Sequence, residues 1–266
     1  MPIECSKNII RKDQEGFHVI DNVIMQFAFD IHNEFGRFCD EKIYNKMLNN
    51  YCNKNGFDVC NEVAVKVSYK DFYKLYFLDI LVESGIIYEL KTVESLNKIH
   101  EQQLINYLLL TGLNHGKLIN FRTTSVEKRF CSNGFTKNSR KNYYIDCTQW
   151  DNSIPESKSC KKILKELLDE WGAFLDFNLY KEAMIYFLGG KNNVVHSIDI
   201  IDDSKVIAQQ KVMLLNEYTA FHLSGISQHY KSYTKHILQL LKHTNLNAIQ
   251  WINFDKDEIK LITIKK

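Results

Sequence analysis

Two stretches of this chain repeat each other at a separation of half its length, and that constrains the fold more than any other feature. Thr111–Phe121 reads TGLNHGKLINF and Thr244–Phe254 reads TNLNAIQWINF, with six of eleven positions identical at an offset of 133 in a chain of 266 residues. Nearer the start of each half, Gly36–Tyr44 (GRFCDEKIY) lies over Gly172–Tyr180 (GAFLDFNLY), with four of nine identical at an offset of 136. Chance matching between two helix–strand units would not hold the offset so nearly constant, so a tandem duplication is expected. Each half then has the size of an ordinary small domain.

The hydrophobic periodicity gives both halves one order of elements. Ile20, Val23, Ile24, Phe27 and Ile31 recur at helical steps between His18 and Asn33, and Ile43, Tyr44, Met47, Leu48 and Tyr51 mark a second helix after Gly36. Three strand-like runs follow, Val59–Tyr69, Tyr73–Val82 and Ile86–Lys91, the last two separated by a Glu83-Ser84-Gly85 turn. A helix over Leu96–Thr111 and a strand over Lys117–Phe121 complete the first half. In the second half, helices are expected around Ile163–Trp171 and Leu179–Phe187, then strands at Val194–Ile201, Val206–Leu215 and Tyr218–Leu223. A helix over Tyr230–His243 and strands at Ala248–Phe254 and Ile259–Ile264 close the chain. The expected domains are 1–127 and 161–266, joined by a polar, basic linker over 128–160. Lys137, Arg140 and Lys141 in that linker form a candidate phosphate-contact patch against the plainer reading of a solvated connection.

Composition narrows the function classes. A formal net charge of +2 gives no whole-protein field toward nucleic acid, so any such contact must be local. The seven cysteines contain no Cys-x-x-Cys pair, which argues against a zinc ribbon or an iron–sulfur cluster. There is no run of 18 apolar residues, and Met1–Arg11 is polar rather than signal-like. A cytoplasmic protein with free thiols and no membrane contact is expected.

One constellation carries chemistry. Asp79 stands inside the apolar run Phe77–Val82, where a carboxylate is costly unless it is paired or binds a metal. Glu89 and Lys91 share one face of the next strand. With the turn centred on Ser84, Asp79 lies across from Glu89, with Cβ atoms about 5 Å apart. A divalent cation relieves the repulsion between two such carboxylates, and Mg²⁺ takes one or two carboxylates plus waters and phosphate. Lys91 could orient or deprotonate a water, or steady phosphate charge. Gln103 and Tyr107 are one helical turn apart, and Glu41 precedes Tyr44 on the second helix. His32 and His100 are loose candidates, with His32 read as a packing residue.

Asp79, Glu89-x-Lys91 and Gln103-x-x-x-Tyr107 resemble the PD-(D/E)xK nuclease superfamily in its RecB-like branch. Gly36…Glu41-x-x-Tyr44, Asp79-Ile-Leu-Val, Tyr88-Glu-Leu-Lys91, His100-Glu-x-Gln103-Leu and Leu118-Ile-Asn-Phe121 resemble the GxxExxY proteins of that superfamily more closely, over roughly residues 18–122. The family often has a glycine where Phe38 stands; this departure concerns the loop before Glu41 and leaves Glu41 and Tyr44 intact. The resemblance implies an α/β (mixed α+β), restriction-endonuclease-like core of a mixed sheet flanked by helices, here duplicated as a pseudo-dimer. It implies phosphodiester hydrolysis with Mg²⁺ or Mn²⁺. Asp79 and Glu89 would be metal ligands, joined by the Leu90 carbonyl and Glu41, with Lys91 as the catalytic lysine. Gln103 and Tyr107 would brace the site or touch phosphate.

At the repeat offsets, Asp79 maps to Val212, Glu89 to His222, Lys91 to Ser224, Gln103 to His236 and Glu41 to Phe177. The second copy therefore lacks the hard-cation donors and is expected to be inactive. The expected function is a nuclease with one active site, acting on DNA more readily than RNA. The alternatives are an RNA-directed nuclease of the same chemistry and a non-catalytic nucleic-acid-binding or assembly protein. Pairing of whole chains, or docking of a partner protein, through the C-terminal copy is left open.

Overall fold

The computed structural model describes residues 2–136 and 138–266, which fall into two compact units meeting at 137/138. In the first, β1 (Ile3–Cys5) precedes α1 (Gln14–Phe35) and α2 (Glu41–Lys54). Then come β2 (Val59–Tyr69), β3 (Phe72–Val82), β4 (Ile86–Lys91), α3 (Lys98–Thr111), β5 (His115–Asn120) and β6 (Glu127–Ser132). The Asp13 side chain caps α1 by accepting the Gly16 N–H at 2.8 Å. Phe17, Ile24, Ala28 and Ile31 bury one stripe of that helix completely. Together with Tyr44 and Leu48 of α2 they pack on Ile80, Val82, Tyr88 and Leu90 of the sheet.

The second unit holds β7 (Tyr144–Gln149), α4 (Pro155–Trp171), α5 (Phe177–Phe187), a single turn α6 (Lys191–Val194), β8 (Val195–Asp202) and β9 (Lys205–Asn216). It ends with β10 (Thr219–Ser224), α7 (Tyr230–Lys242), β11 (Ala248–Asp255) and β12 (Glu258–Lys265). Each unit builds one six-stranded mixed sheet flanked by helices, the architecture expected from the sequence.

The two sheets share a five-strand order and sense. β2-β3-β4-β5-β6 and β8-β9-β10-β11-β12 are both antiparallel except for one parallel step, β4 with β5 and β10 with β11. Registers agree as well: Ile87 pairs with Gly116, and Ala220, 133 residues on, pairs with Ile249. The sixth strand differs. β1 joins antiparallel beside β2, whereas β7 joins parallel beside β12, at the opposite edge.

Buried polar links recur at matching positions. The Tyr44 hydroxyl donates to the Gly36 carbonyl at 2.7 Å, and the Tyr180 hydroxyl donates to that of Gly172. Both glycines have positive φ, 70° and 78°. Asn120 accepts from the Val93 N–H and donates to the Val93 carbonyl; Asn253 does the same with Ile226.

The segment expected to be a linker is structured. Residues 128–160 contain most of β6, a 3-10 turn (Ser139–Lys141), all of β7 and the first turns of α4. Its polar composition misleads because β6 and β7 are edge strands largely open to solvent, where Lys, Ser and Gln are ordinary.

Candidate active site

The β3–β4 hairpin sets the site. Ile80 pairs with Tyr88 and Val82 with Ile86, so the turn is centred on Ser84 as the sequence suggested. Tyr88 and Leu90 point into the core beneath α1 and α2, so Glu89 and Lys91 point to the opposite face, toward α3. Asp79 lies just outside the β3–β4 pairing, which begins at Ile80, and turns its carboxylate onto β4, where Oδ2 accepts the Leu90 N–H at 2.8 Å.

Glu89 is 1% exposed and Lys91 9% exposed. Lys91 Nζ donates to Glu89 Oε1 at 2.8 Å, and Gln103 Nε2 donates to the same oxygen at 2.6 Å. Gln103 also reaches the Tyr107 hydroxyl at 3.1 Å, so one turn of α3 clamps the Glu89 side chain. The second oxygen, Oε2, is buried and has no hydrogen-bond partner. The cost of such an atom is a strong hint that something absent from the chain completes it.

The electrostatics describe one coupled cluster. Burial first, then the neighbouring Asp79 charge, pushes the Glu89 carboxyl up to about 7. Burial also raises Asp79, against the Leu90 N–H and Lys91, which pull it down. Glu41, at the N-terminus of α2, is raised by burial, lowered by Lys91 and raised again by Asp79, so it belongs to the same group. Burial alone would lower Lys91, but the fields of Glu89, Asp79 and Glu41 outweigh it and raise it. The Tyr107 hydroxyl is pushed up to about 12 by burial and by Glu89. Three carboxylates and one ammonium leave a net charge of −2 when all are ionised, the charge that one divalent cation cancels.

The residues present fit such an ion. Asp79 and Glu89 are hard oxygen donors, and Glu89 Oε2 is free of other duties. Among the described residues no three or more His, Cys, Asp or Glu side chains lie close enough together to hold a metal ion between them, so Glu41 does not stand within one donor set with Asp79 and Glu89. An ion here would rely on water and substrate oxygens for its remaining contacts, as Mg²⁺ commonly does.

The structure thus brings together Asp79, Glu89, Leu90, Lys91, Gln103 and Tyr107, with Glu41 electrostatically coupled to them. The two histidines serve the fold: His100 Nδ1 accepts the Asn97 N–H in a capping box for α3, and His32 bonds the Thr123 carbonyl. The expected phosphate patch does not form as a unit. Arg140 is 3% exposed, with its carbonyl taking the Ala173 N–H, because the 3-10 turn that carries it packs against α4 and its C-terminal loop. Lys141 is exposed, and Lys137 lies outside the described residues.

Sequence reasoning missed a second buried charge pair. Asp21 of α1 is bound to Lys117 Nζ of β5 and accepts from the Tyr88 hydroxyl at 3.3 Å. The signal was an aspartate three and seven residues before Ile24 and Ala28, on the buried stripe. In the second unit Ser157 and Gln250 occupy these positions, joined at 2.6 Å.

Comparison with known proteins agrees with this geometry. Residues 18–131 match the family model of the PD-(D/E)XK nuclease superfamily, a span that holds every residue of the acidic cluster. No curated protein and no solved structure matches the chain. Among the described residues no helix is long and apolar enough to cross a membrane.

Proposed function

We propose that the first unit is a divalent-cation-dependent nuclease, acting on DNA in preference to RNA, whose active site is Glu41, Asp79, Glu89 and Lys91. The observation that carries this reading is the Glu89 carboxylate, buried beside Asp79 with one oxygen clamped by Lys91 and Gln103 and the other unpartnered. Asp79 and Glu89 would hold Mg²⁺ or Mn²⁺, with the Leu90 carbonyl as a further ligand. A bound ion supplies Lewis-acid polarisation of a phosphoryl oxygen and acidifies a water.

The chain's own groups do the rest. Gln103 and Tyr107 hold Glu89 in one rotamer, so the donor set is preorganised. Lys91 is kept protonated by three carboxylates, which suits it to steady negative charge growing on a phosphate oxygen. The second unit has Val212, His222 and Ser224 where the first has Asp79, Glu89 and Lys91, and Ser224 is engaged by Trp251 and Asn253. One site per chain favours nicking, single-strand cleavage or end-processing over a concerted double-strand cut.

The test is cleavage of single-stranded, linear duplex and supercoiled DNA and of RNA, in Mg²⁺, Mn²⁺ or EDTA, comparing the natural protein with Lys91→Ala. Metal-dependent cutting that drops about 100-fold or more in the variant is the expected result. Cutting that survives in EDTA, or full activity in folded Lys91→Ala, overturns the assignment.

A further inference from the structure

Where the first unit carries its acidic cluster, the second unit has a cleft. A cleft of about 950 Å³ opens between α5 and α7 over β9 and β10. Its walls include Val212, His222, His236 and Leu240, which stand where Asp79, Glu89, Gln103 and Tyr107 stand in the first unit. The strand registers confirm the correspondence: Phe221 pairs with Met213 as Tyr88 pairs with Ile80.

What changed is the sign of the charge. Lys181, Lys191 and Lys211 line the cleft, against the single acid Glu182. None of the three lysines forms an ion pair within the described residues. The interior is apolar and aromatic. The Tyr233 ring lines it, stacked on Trp251 at 4.8 Å between centroids and on His222 at 5.9 Å. A hard cation finds no donor set here, whereas a small anion alone would leave the apolar floor unused. The shape asks for a ligand with a flat, weakly polar body and an anionic end, and the volume lies in the range of small-ligand sites.

We propose that this cleft binds a nucleotide, its base against the Tyr233 ring and its phosphate on Lys181, Lys191 and Lys211. The nucleotide is either free or one unit of a strand; the strand case rests on the nuclease reading above, and the free case does not. Base–aromatic contact and phosphate–lysine contact reinforce each other, as in other single-strand grips. His222 supports the polar edge of the site: burial, then the Lys181 charge, lowers its pKa, so the ring enters neutral and hydrogen-bonded to the Tyr233 hydroxyl.

The experiment is calorimetric titration of the full chain in EDTA, where no cleavage interferes, with 5′-AMP, 5′-dTMP, inorganic phosphate and a ten-nucleotide DNA strand. The same titrations are run on Lys191→Ala/Lys211→Ala, two exposed positions whose loss spares the core, and on Lys181→Ala. Saturable binding of mononucleotides or of the strand, at least tenfold tighter than phosphate and weakened about tenfold by the lysine variants, is expected. Strand binding that mononucleotides compete away identifies the strand as the source; mononucleotide binding that the strand leaves untouched identifies a free nucleotide. Phosphate binding as tight as a nucleotide, no binding, or binding indifferent to all three lysines overturns the proposal. Because the readout is binding at the second unit, failure here leaves the Lys91→Ala cleavage result standing, and the converse holds too.

Discussion

Replacing Glu89 with glutamine tests the cluster's central feature without an enzymatic assay. In the unfolded chain this carboxyl titrates near 4.5; folded, burial and the Asp79 charge push it up to about 7. Between those values the unfolded state has lost the proton and the folded state still holds it. Folded stability therefore falls as pH rises through this window, by about 1.4 kcal/mol per unit and about 3 kcal/mol in all. Glutamine is never ionised and can still accept from Lys91. Relative to the natural protein, Glu89→Gln should gain little at pH 4.5 and about 3 kcal/mol by pH 8.5, measured by urea denaturation in EDTA. Comparing the two proteins across pH cancels the shared groups that lie outside this cluster. Adding Mg²⁺ should then stabilise the natural protein, by about 2.7 kcal/mol at 100 times the dissociation constant, and leave the variant unmoved. A stability gap that stays flat from pH 4.5 to 8.5, or equal stabilisation of both proteins by Mg²⁺, would refute the reasoning.

Two further outcomes follow from the paired architecture. Asp21→Ser alone strands a buried Lys117 and should cost about 3–5 kcal/mol, whereas Asp21→Ser with Lys117→Gln installs the pair found at Ser157–Gln250 and should recover most of it in a denaturation series; no recovery would mean that the two pockets are not equivalent. Gly36→Ala and Gly172→Ala both force a side chain into a positive-φ conformation, at about 1–3 kcal/mol, but the added Cβ meets open space at Gly36 and the Arg140 backbone carbonyl at 2.8 Å at Gly172. Gly172→Ala should show the larger loss in melting temperature, and equal losses would place the strain in φ alone.

Much of the fold was legible because the hydrophobic runs carry it. The Ser84-centred hairpin and the facing of Gln103 and Tyr107 followed from period-two and period-four spacing, and the structure places them accordingly. Three of the four edge strands were not legible. β6 and β7 show their polar faces to solvent and read as linker, and the three-residue β1 is too short to carry a pattern. The burial of Arg140 was hidden for another reason: its cover comes from the turn after α4, some thirty positions away, and local composition does not report a long-range contact.

The two units also show which residues make the fold and which make the chemistry. Gly36, Tyr44, Thr111, Asn120 and Phe121 are matched by Gly172, Tyr180, Thr244, Asn253 and Phe254, and each pair does the same work. Tyr44 stacks on Phe121 at 4.3 Å and Tyr180 lies against Phe254 at 5.0 Å. Thr111 and Thr244 bond the helix carbonyls of Leu108 and Leu241. These are uncharged groups that satisfy buried backbone or fix a turn, and losing one leaves an unmet donor or acceptor. Every charged position of the acidic cluster is replaced, as is the buried Asp21–Lys117 pair. Charges held in a low-dielectric interior are costly without partners of opposite sign, so carboxylates that lose their lysine become liabilities. Substitution by Val212, His222 and Ser224 removes that cost as a set and leaves the cleft free for a ligand of the opposite charge.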